Sequence, residues 1–336
     1  MRPLVSVCMP VRNGARWLRP ALDSVLDQSF RDFEVRVLDD ASTDDTGAIL
    51  IEYARRDPRV LIDRVDASSG LTPALIRVCA GALGRYIARM DADDIAFPDR
   101  LERQVEQLEA DDDLAVIGGA YVVLREDGTT GRTVGFPARD AQIKRALAEY
   151  NCIPHPTATF RRDAFEAVGG FRLAIVEEYD LWLRLAEHHR LANLASPVVY
   201  RREHGGQITH DLLEQQVAAM LAVVEAARSR RAGRGDPLEG REWPDASAIA
   251  PDALRSALIA AYASRIANLG DDSLVARASA VLDDDALKRL RVAVALRRAA
   301  GARSLWAARR DLVRTLPHPL LTARELGRAM ALRRGG

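Results

Sequence analysis

The stretch "RMDADDIAFPDRL" (89–101) carries four carboxylates, Asp91, Asp93, Asp94 and Asp99, three of them within four residues. Negative charge packed that densely is unfavourable unless water surrounds it or a cation completes it. The stretch is therefore a solvated loop, a helix cap or a metal site. In extended chain alternate side chains share a face, which pairs Asp91 with Asp93 and turns Asp94 away. Mg2+ and Mn2+ take oxygen ligands and share them between one or two carboxylates and substrate phosphates. Paired acids at a strand end fit that chemistry, so Asp91 and Asp93 read as metal-facing. Asp94 and Asp99 can instead precede the next helix, where anions suit the helix dipole.

Two more polar clusters follow apolar runs: Pro10-Val11-Arg12-Asn13 and Asp39-Asp40, the latter with Ser42 close behind. Taken alone, Arg12 and Asn13 can be loop residues, and Asp39 and Asp40 helix-start acids. His155 and His204, each by itself, read as structural. No Gly-x-Gly-x-x-Gly follows the first apolar run and no P-loop lysine motif is present, so a glycine-rich cradle for phosphate is not expected.

The elements that must position these groups alternate in type. "LVSVCMP" (4–10), "FEVRVL" (33–38), "VLIDR" (60–64), "RYIARM" (85–90) and "LAVIGG" (114–119) read as strands, with helical segments between them. "STDDT" (42–46) supplies N-caps, Thr72-Pro73 opens one helix and Pro98 another. Such alternation implies βαβ units and a mainly parallel sheet, whose ligands bind beyond the carboxyl ends of the strands. All three polar clusters fall at such ends. Further on come a hairpin around Asp127-Gly128 within 121–136, a short helix near 140–150, a "GGF" turn (169–171), the helix "EEYDLWLRLAEHH" (177–189) and a strand at 197–206. From about 207 the pattern is helical throughout, interrupted by a polar loop (231–246). The expected division is a catalytic domain at 1–207 and a helical region at 208–336.

The formal net charge is zero, with 48 basic and 48 acidic residues, so nothing points to a nucleic-acid partner. Cys8, Cys79 and Cys152 are scattered and odd in number, which makes neither a disulfide framework nor a zinc motif. No run approaches the roughly 18–20 apolar residues of a spanning helix, and "MRPLVSVCMPV" lacks a signal-peptide pattern. A cytoplasmic protein is expected. Its Ala/Leu helices would pack on the catalytic domain or a second copy. The basic end "ARELGRAMALRRGG" could instead touch the inner face of the cell membrane.

These pieces, in this order, carry a resemblance. "VSVCMPVRNGARWLRPALDSVLDQSFRDFEVRVLDDASTDDT" (5–46), "GRYIARMDADDIAFPDRLERQ" (84–104), "HPTATFRR", "GGF", "EEYDLWLRL" and "YRREHGG" resemble the inverting nucleotide-sugar glycosyltransferases of glycosyltransferase family 2. The resemblance covers about the first 205 residues. It implies the GT-A (Rossmann-like) α/β fold and a role for each matching position. Pro10 to Asn13 line the nucleotide; Asp39 meets the base, and Asp40 and Ser42 support that turn. Asp91, Ala92 and Asp93 form the Asp-x-Asp segment that meets the sugar-diphosphate and Mn2+ or Mg2+. Asp94 orients that segment, and His204 reaches the metal or the diphosphate. Glu178, with Glu177 beside it, is the general base.

Two positions depart from the family pattern. Ile76 and Val78 stand where an Asn is usual, and Glu178 replaces an Asp, setting the base up to ~1.5 Å further out. The expected reaction is metal-dependent, inverting transfer of a sugar, with UDP favoured as carrier. The acceptor would be a hydroxyl on a glycan, lipid-linked or small-molecule substrate, in polysaccharide or glycoconjugate synthesis. The apolar stripe Leu181, Trp182 and Leu185 behind Glu178 suits a sugar acceptor. A sugar nucleotidyltransferase and a non-catalytic nucleotide-sugar-binding scaffold are the rival expectations.

Overall fold

The computed structural model describes residues 2–204 and 213–241, with scattered positions between 252 and 294. The boundary expected at 207–208, the helices expected from 247 onward and the basic end at 323–336 lie outside these residues, the scattered positions aside.

Four strands, β1 (Val5–Val11), β2 (Phe33–Asp40), β3 (Val60–Val65) and β4 (Tyr86–Arg89), run parallel in the order β3-β2-β1-β4. They are joined through α1 (Ala15–Leu26), α2 (Thr46–Arg56) and α3 (Leu71–Ala80). All seven residues of β1 are buried, as expected of a continuous apolar strand covered on both faces. Val5, Val7, Met9 and Val11 pack with α1, α2 and a later helix that carries Leu101, Val105 and Leu108, while Cys8 packs with α3 on the other face. In the β1–β2 ladder Val11 lies opposite Asp39, so the first two polar clusters emerge side by side.

Next come β5 (Ile95–Ala96), α4 (Arg100–Ala110), β6 (Leu114–Arg125), β7 (Thr130–Val134), α5 (Asp140–Ala146), a 3-10 turn (His155–Thr157), β8 (Thr159–Arg161), α6 (Arg162–Ala167), α7 (Glu177–His188), β9 (Arg190–Glu203) and α8 (Leu213–Arg231). The nine-stranded sheet continues from β4 as β8-β6-β9-β5, with β7 paired to β6. β8 is antiparallel to β4 and to β6, β9 is parallel to β6, and β5 is antiparallel to β9. The sheet is thus parallel over its first four strands and mixed beyond them.

Two strands are longer than their sequences suggest. The run at 114–119 is half of the 12-residue β6, which continues into the Asp127-Gly128 hairpin. The strand expected at 197–206 is the second half of the 14-residue β9, which begins at Arg190. Opposite Gly119 and Ala120 the register jumps from Leu194 to Pro197. Ala195 and Ser196 bulge there, Pro197 lies opposite Ala120, and the register shifts again before Val199.

The chain divides into two compact units, residues 1–211 with 222–245, and residues 212–221 with 246–336. In the first unit Val223, Val224, Ala226, Ala227 and Leu238 belong to the same buried cluster as Tyr179 and Trp182 of α7. In the second, Val217, Ala219, Leu258 and Leu290 are buried. None of the described helices is long and apolar enough to cross a membrane.

Candidate functional site

The loops that follow β1 and β2 are knitted together by backbone donors. Asn13 adopts a left-handed conformation (φ 50°) and its N–H donates to Ser42 Oγ at 2.9 Å. Asn13 Oδ1 accepts the Thr43 N–H at 2.8 Å. Asp44 accepts the first N–H of α1 from Ala15 (3.0 Å) and the first N–H of α2 from Thr46 (3.0 Å), so one carboxylate caps two helices. The N-cap position proper, Asp45, makes no side-chain cap bond. Pro10 and Val11 are buried in the strand, and Arg12 is exposed at the rim.

Asp39 and Asp40 point to different tasks. Asp39 is 1% exposed; its carboxylate accepts the Ser42 N–H (2.9 Å) and a guanidinium N–H of Arg64 (2.7 Å). Asp40 accepts the Ser68 hydroxyl (2.6 Å) and the Ser69 N–H (3.0 Å), anchoring the segment that leads into α3. In α3 Ile76 faces solvent, and Val78 packs in the core.

The acidic stretch after β4 does not stay extended. The strand ends at Arg89, and the chain turns so that the Asp94 N–H reaches the Asp91 carbonyl at 3.4 Å. Side-chain alternation therefore stops applying. Asp94 does not turn away: oxygens of Asp91, Asp93 and Asp94 lie within 4.8 Å of one another. A Cβ built on Gly14 would lie 3.9 Å from that of Ala92, which places this turn against the loop after β1.

Each carboxylate is held differently. Asp91 ion-pairs with the buried guanidinium of Arg89. Asp93 Oδ2 lies 2.9 Å from His204 Nε2. Asp94 Oδ1 accepts the Arg202 N–H at 2.8 Å, while its Oδ2 is buried with no hydrogen-bond partner. Burial, then the charges of Asp91 and Asp93, hold the Asp94 carboxyl well above its ordinary range. Burial and Asp91 also raise Asp93. Burial works against the Asp91 carboxylate too, but Arg89 outweighs it and the group sits below the usual range. Crowded oxygens with an orphaned lone pair are what a hard divalent cation would satisfy, so the residues present fit one.

A second cluster forms at the start of α7, where ligand atoms of His155, Glu177 and Glu178 also lie within 4.8 Å of one another. His155 Nδ1 is 3.4 Å from Glu177 Oε1, and Glu178 accepts an N–H of Asn151 at 3.1 Å. Burial pushes the Glu177 carboxyl up to about 7. Burial, then the charge of Glu177, raises Glu178. Burial and then Arg89 push the His155 imidazole down to about 3, so the ring is neutral. Arg89 lies within electrostatic reach of both clusters. Val176, immediately before the two glutamates, holds a left-handed backbone (φ 52°, ψ 30°) that β-branched residues rarely adopt.

Some sequence expectations need correction. Leu181, Trp182 and Leu185 are fully buried in the core and cannot face an acceptor. The Trp182 indole donates to the Ile153 carbonyl at 3.0 Å, so its polar edge is satisfied inside. Asp99 does stand at the helix start expected of it, the N-cap position of α4, though its carboxylate makes no cap bond and pairs with Arg103 at 3.1 Å. His155, read singly as structural, lies in the Glu177 cluster. Arg89, Arg64, Arg202 and Asn151 were not foreseen. Arg89 alone left a signal: an arginine inside an apolar strand, two residues before paired acids. The Arg202 guanidinium lies 3.9 Å over the ring of Trp17 and donates to the Asp93 carbonyl at 2.8 Å, contacts that sequence spacing does not show.

Comparison with known proteins agrees with this architecture. A family model described as glycosyl transferase family 2 matches residues 6–169. The putative glycosyltransferase EpsE of Bacillus subtilis (strain 168) is 32% identical over 232 residues, which is 67% of this chain and 82% of EpsE. The crystal structure of S. aureus TarS 1-349 in complex with UDP shares the fold at 17% identity. Its TM-score is 0.55, over 94% of this chain and 89% of that one. The mannosyltransferase PcManGT from Pyrobaculum calidifontis, in complex with GDP-Man and Mn2+, is similar at 23% identity. Here the TM-score is 0.52, over 89% of this chain and 87% of that one. With a GT-A sheet carrying its acidic clusters at the strand ends, and with relatives of this kind along most of its length, the chain belongs to glycosyltransferase family 2 and is a glycosyltransferase.

Proposed function

We propose that this enzyme transfers a sugar, with inversion, from a nucleoside-diphosphate donor to an acceptor hydroxyl in glycan synthesis, and that UDP is the preferred carrier. One observation supports the reading above the others: the buried guanidinium of Arg89 ion-pairs with Asp91 of one carboxylate cluster and lies within electrostatic reach of Glu177 in the other. The cluster after β4 is the donor end and the cluster at the start of α7 is the acceptor end. The nucleotide lies along Pro10 to Asn13, with Asp39 and Ser42 at the base and Asp40 supporting that side. That TarS has been captured with UDP is consistent with the carrier.

Asp91 and Asp93 would hold Mn2+ or Mg2+, with Asp94 setting their turn and His204 orienting Asp93. PcManGT in complex with GDP-Man and Mn2+ makes the same chemistry reasonable here. A cation held there supplies positive charge opposite the departing diphosphate. Glu178, ionised, accepts the proton of the acceptor hydroxyl as its oxygen attacks the anomeric carbon from the face opposite the diphosphate. The bond from that carbon to the phosphate oxygen breaks, and the nucleoside diphosphate leaves with the electron pair. Asn151, which donates to the Glu178 carboxylate at 3.1 Å, keeps it in place.

Glu178→Gln tests this reading. Transfer should fall by about three orders of magnitude or more, with donor affinity largely kept, because the amide accepts no proton. Near wild-type transfer would rule out the base assignment. The product discriminates further: free nucleoside diphosphate is expected, whereas pyrophosphate would mean nucleotidyl transfer. Family membership leaves that alternative and a non-catalytic scaffold without support.

A further inference from the structure

Glu178 stands on a loop-to-helix junction that an unusual arrangement of ion pairs holds closed. The Arg172 guanidinium binds Asp180 with two parallel bonds, Nε–Oδ2 at 2.8 Å and Nη2–Oδ1 at 2.7 Å. Forked pairing of this kind fixes orientation as well as distance. It ties the residue four before Val176 to the residue four after it. Between them lie the left-handed Val176 and the two glutamates. A β-branched residue keeps such a backbone only when its surroundings over-determine it. Here Leu173 is fully buried and Ile175 nearly so, and the Arg172–Asp180 pair closes the ends.

The pair is itself gripped from a distant part of the sequence. Arg172 Nη1 lies 2.7 Å from Asp236 Oδ2, and Arg230 Nη1 lies 3.1 Å from the same oxygen. Arg230 also binds Glu187, in the last turn of α7, at 2.8 Å. Arg230 therefore holds the last turn of α7 directly, and Asp236 bears on its first turn through Arg172. On the inner side Arg184 donates to Asp180 (2.9 Å) and to the Gly170 carbonyl (2.6 Å), anchoring the helix to the GGF turn.

We propose that Arg172, Asp180 and Asp236 are positioning residues that set the glutamates for proton abstraction. Arg230 and Asp236, which lie outside the segment matched by the family model, then help to position the catalytic helix. The inference rests on Glu178 being the base. Asp236 is the useful point of attack. It is also shared by two arginines but keeps some exposure, 13%, whereas Asp180 is fully buried. Asn at 236 can still accept the Leu238 N–H, which Asp236 Oδ1 accepts at 2.9 Å.

Asp236→Asn, Arg172→Gln and the double variant are compared with the full-length wild type. kcat should fall by about tenfold or more while donor KM and nucleoside-diphosphate affinity stay within about twofold, since ångström-scale misplacement acts on the chemical step. Backbone amides of 173–181 should exchange faster with deuterium in the unliganded variants. Asp236→Glu should restore most of the rate, and the double variant should be little worse than Arg172→Gln alone, as members of one network are not additive. An unchanged kcat in Asp236→Asn overturns the proposal, and so does a parallel loss of kcat and donor affinity. Exchange at 173–181 reports the clamp whatever residue is the base, whereas transfer surviving in Glu178→Gln overturns the base reading alone.

Discussion

Glu177 and Glu178 are identical in chemistry and differ in what surrounds them. Glu177 is buried beside His155, and its carboxyl is pushed up to about 7. Glu178 is raised by burial and then by the charge of Glu177, while neutral-ring His155 and cationic Arg89 face the pair from other elements. Asp91 adds a like charge from the donor end. A base works only as carboxylate, so kcat/KM should fall as pH drops through the raised value, at a higher pH than an ordinary carboxyl would give. Glu177→Gln removes one of the charges that raise Glu178, and the acid limb of the kcat/KM profile should move to lower pH. A limb that stays put or moves up would contradict the coupling. On the donor side, Asp93→Asn keeps the shape of the side chain and halves its negative oxygens. Nucleotide binding by calorimetry should lose the increment that Mn2+ adds over a chelator control, and an increment of wild-type size would exclude Asp93 from metal binding.

At the scale of elements, the turn after β4 depends on a cation inside the protein. Arg100, 2% exposed, donates to the Arg89 carbonyl at 2.7 Å and to the Ala158 carbonyl at 3.3 Å, and Gln104 accepts from it at 3.2 Å. Burial lowers its pKa to about 9, which still leaves it charged at neutral pH. Arg100→Leu would take the short guanidinium bond from the buried Arg89 carbonyl, at about 1–3 kcal/mol, while the Ala158 carbonyl keeps the Arg89 N–H at 2.9 Å. A drop of that order in unfolding free energy, read from urea titrations, is expected; a variant as stable as wild type would show that the Arg89 carbonyl finds another partner. The sequence marked β1, β2 and β4 well because each is an apolar run ending in polar residues. It marked the convergence of Asp94 poorly, since side-chain alternation was assumed past the point where β4 stops. It cut β9 short at Ser196-Pro197, where a bulge rather than a loop absorbs the proline. It assigned the Leu181, Trp182 and Leu185 stripe to a sugar acceptor, because a helix stripe has the same period whether it faces a core or a ligand.

On the scale of the whole molecule, the first unit is completed by a segment beyond the strands. The expected division near 207 follows a change of pattern from alternating to helical, and periodicity cannot say which body a helix joins. Leu238 is 3% exposed and lies in the buried cluster that contains Tyr179, Trp182 and Val223. Its neighbour Asp236 accepts the Leu238 N–H, which fixes the turn that inserts the side chain. If 222–245 is an integral part of this core, Leu238→Ala should behave as a core truncation and cost about 2–5 kcal/mol, with the spread set by how far the site can collapse. If the segment is a loosely docked appendage, the same substitution should cost little, as surface changes usually stay within about 0.5 kcal/mol. The measurement is the shift in urea midpoint of the full-length protein at constant slope, followed by fluorescence of the buried Trp182 against a Trp182→Phe control. A fall in the slope would instead mean that 222–245 unfolds separately from the sheet, and the segment could then not hold α7 in register during catalysis.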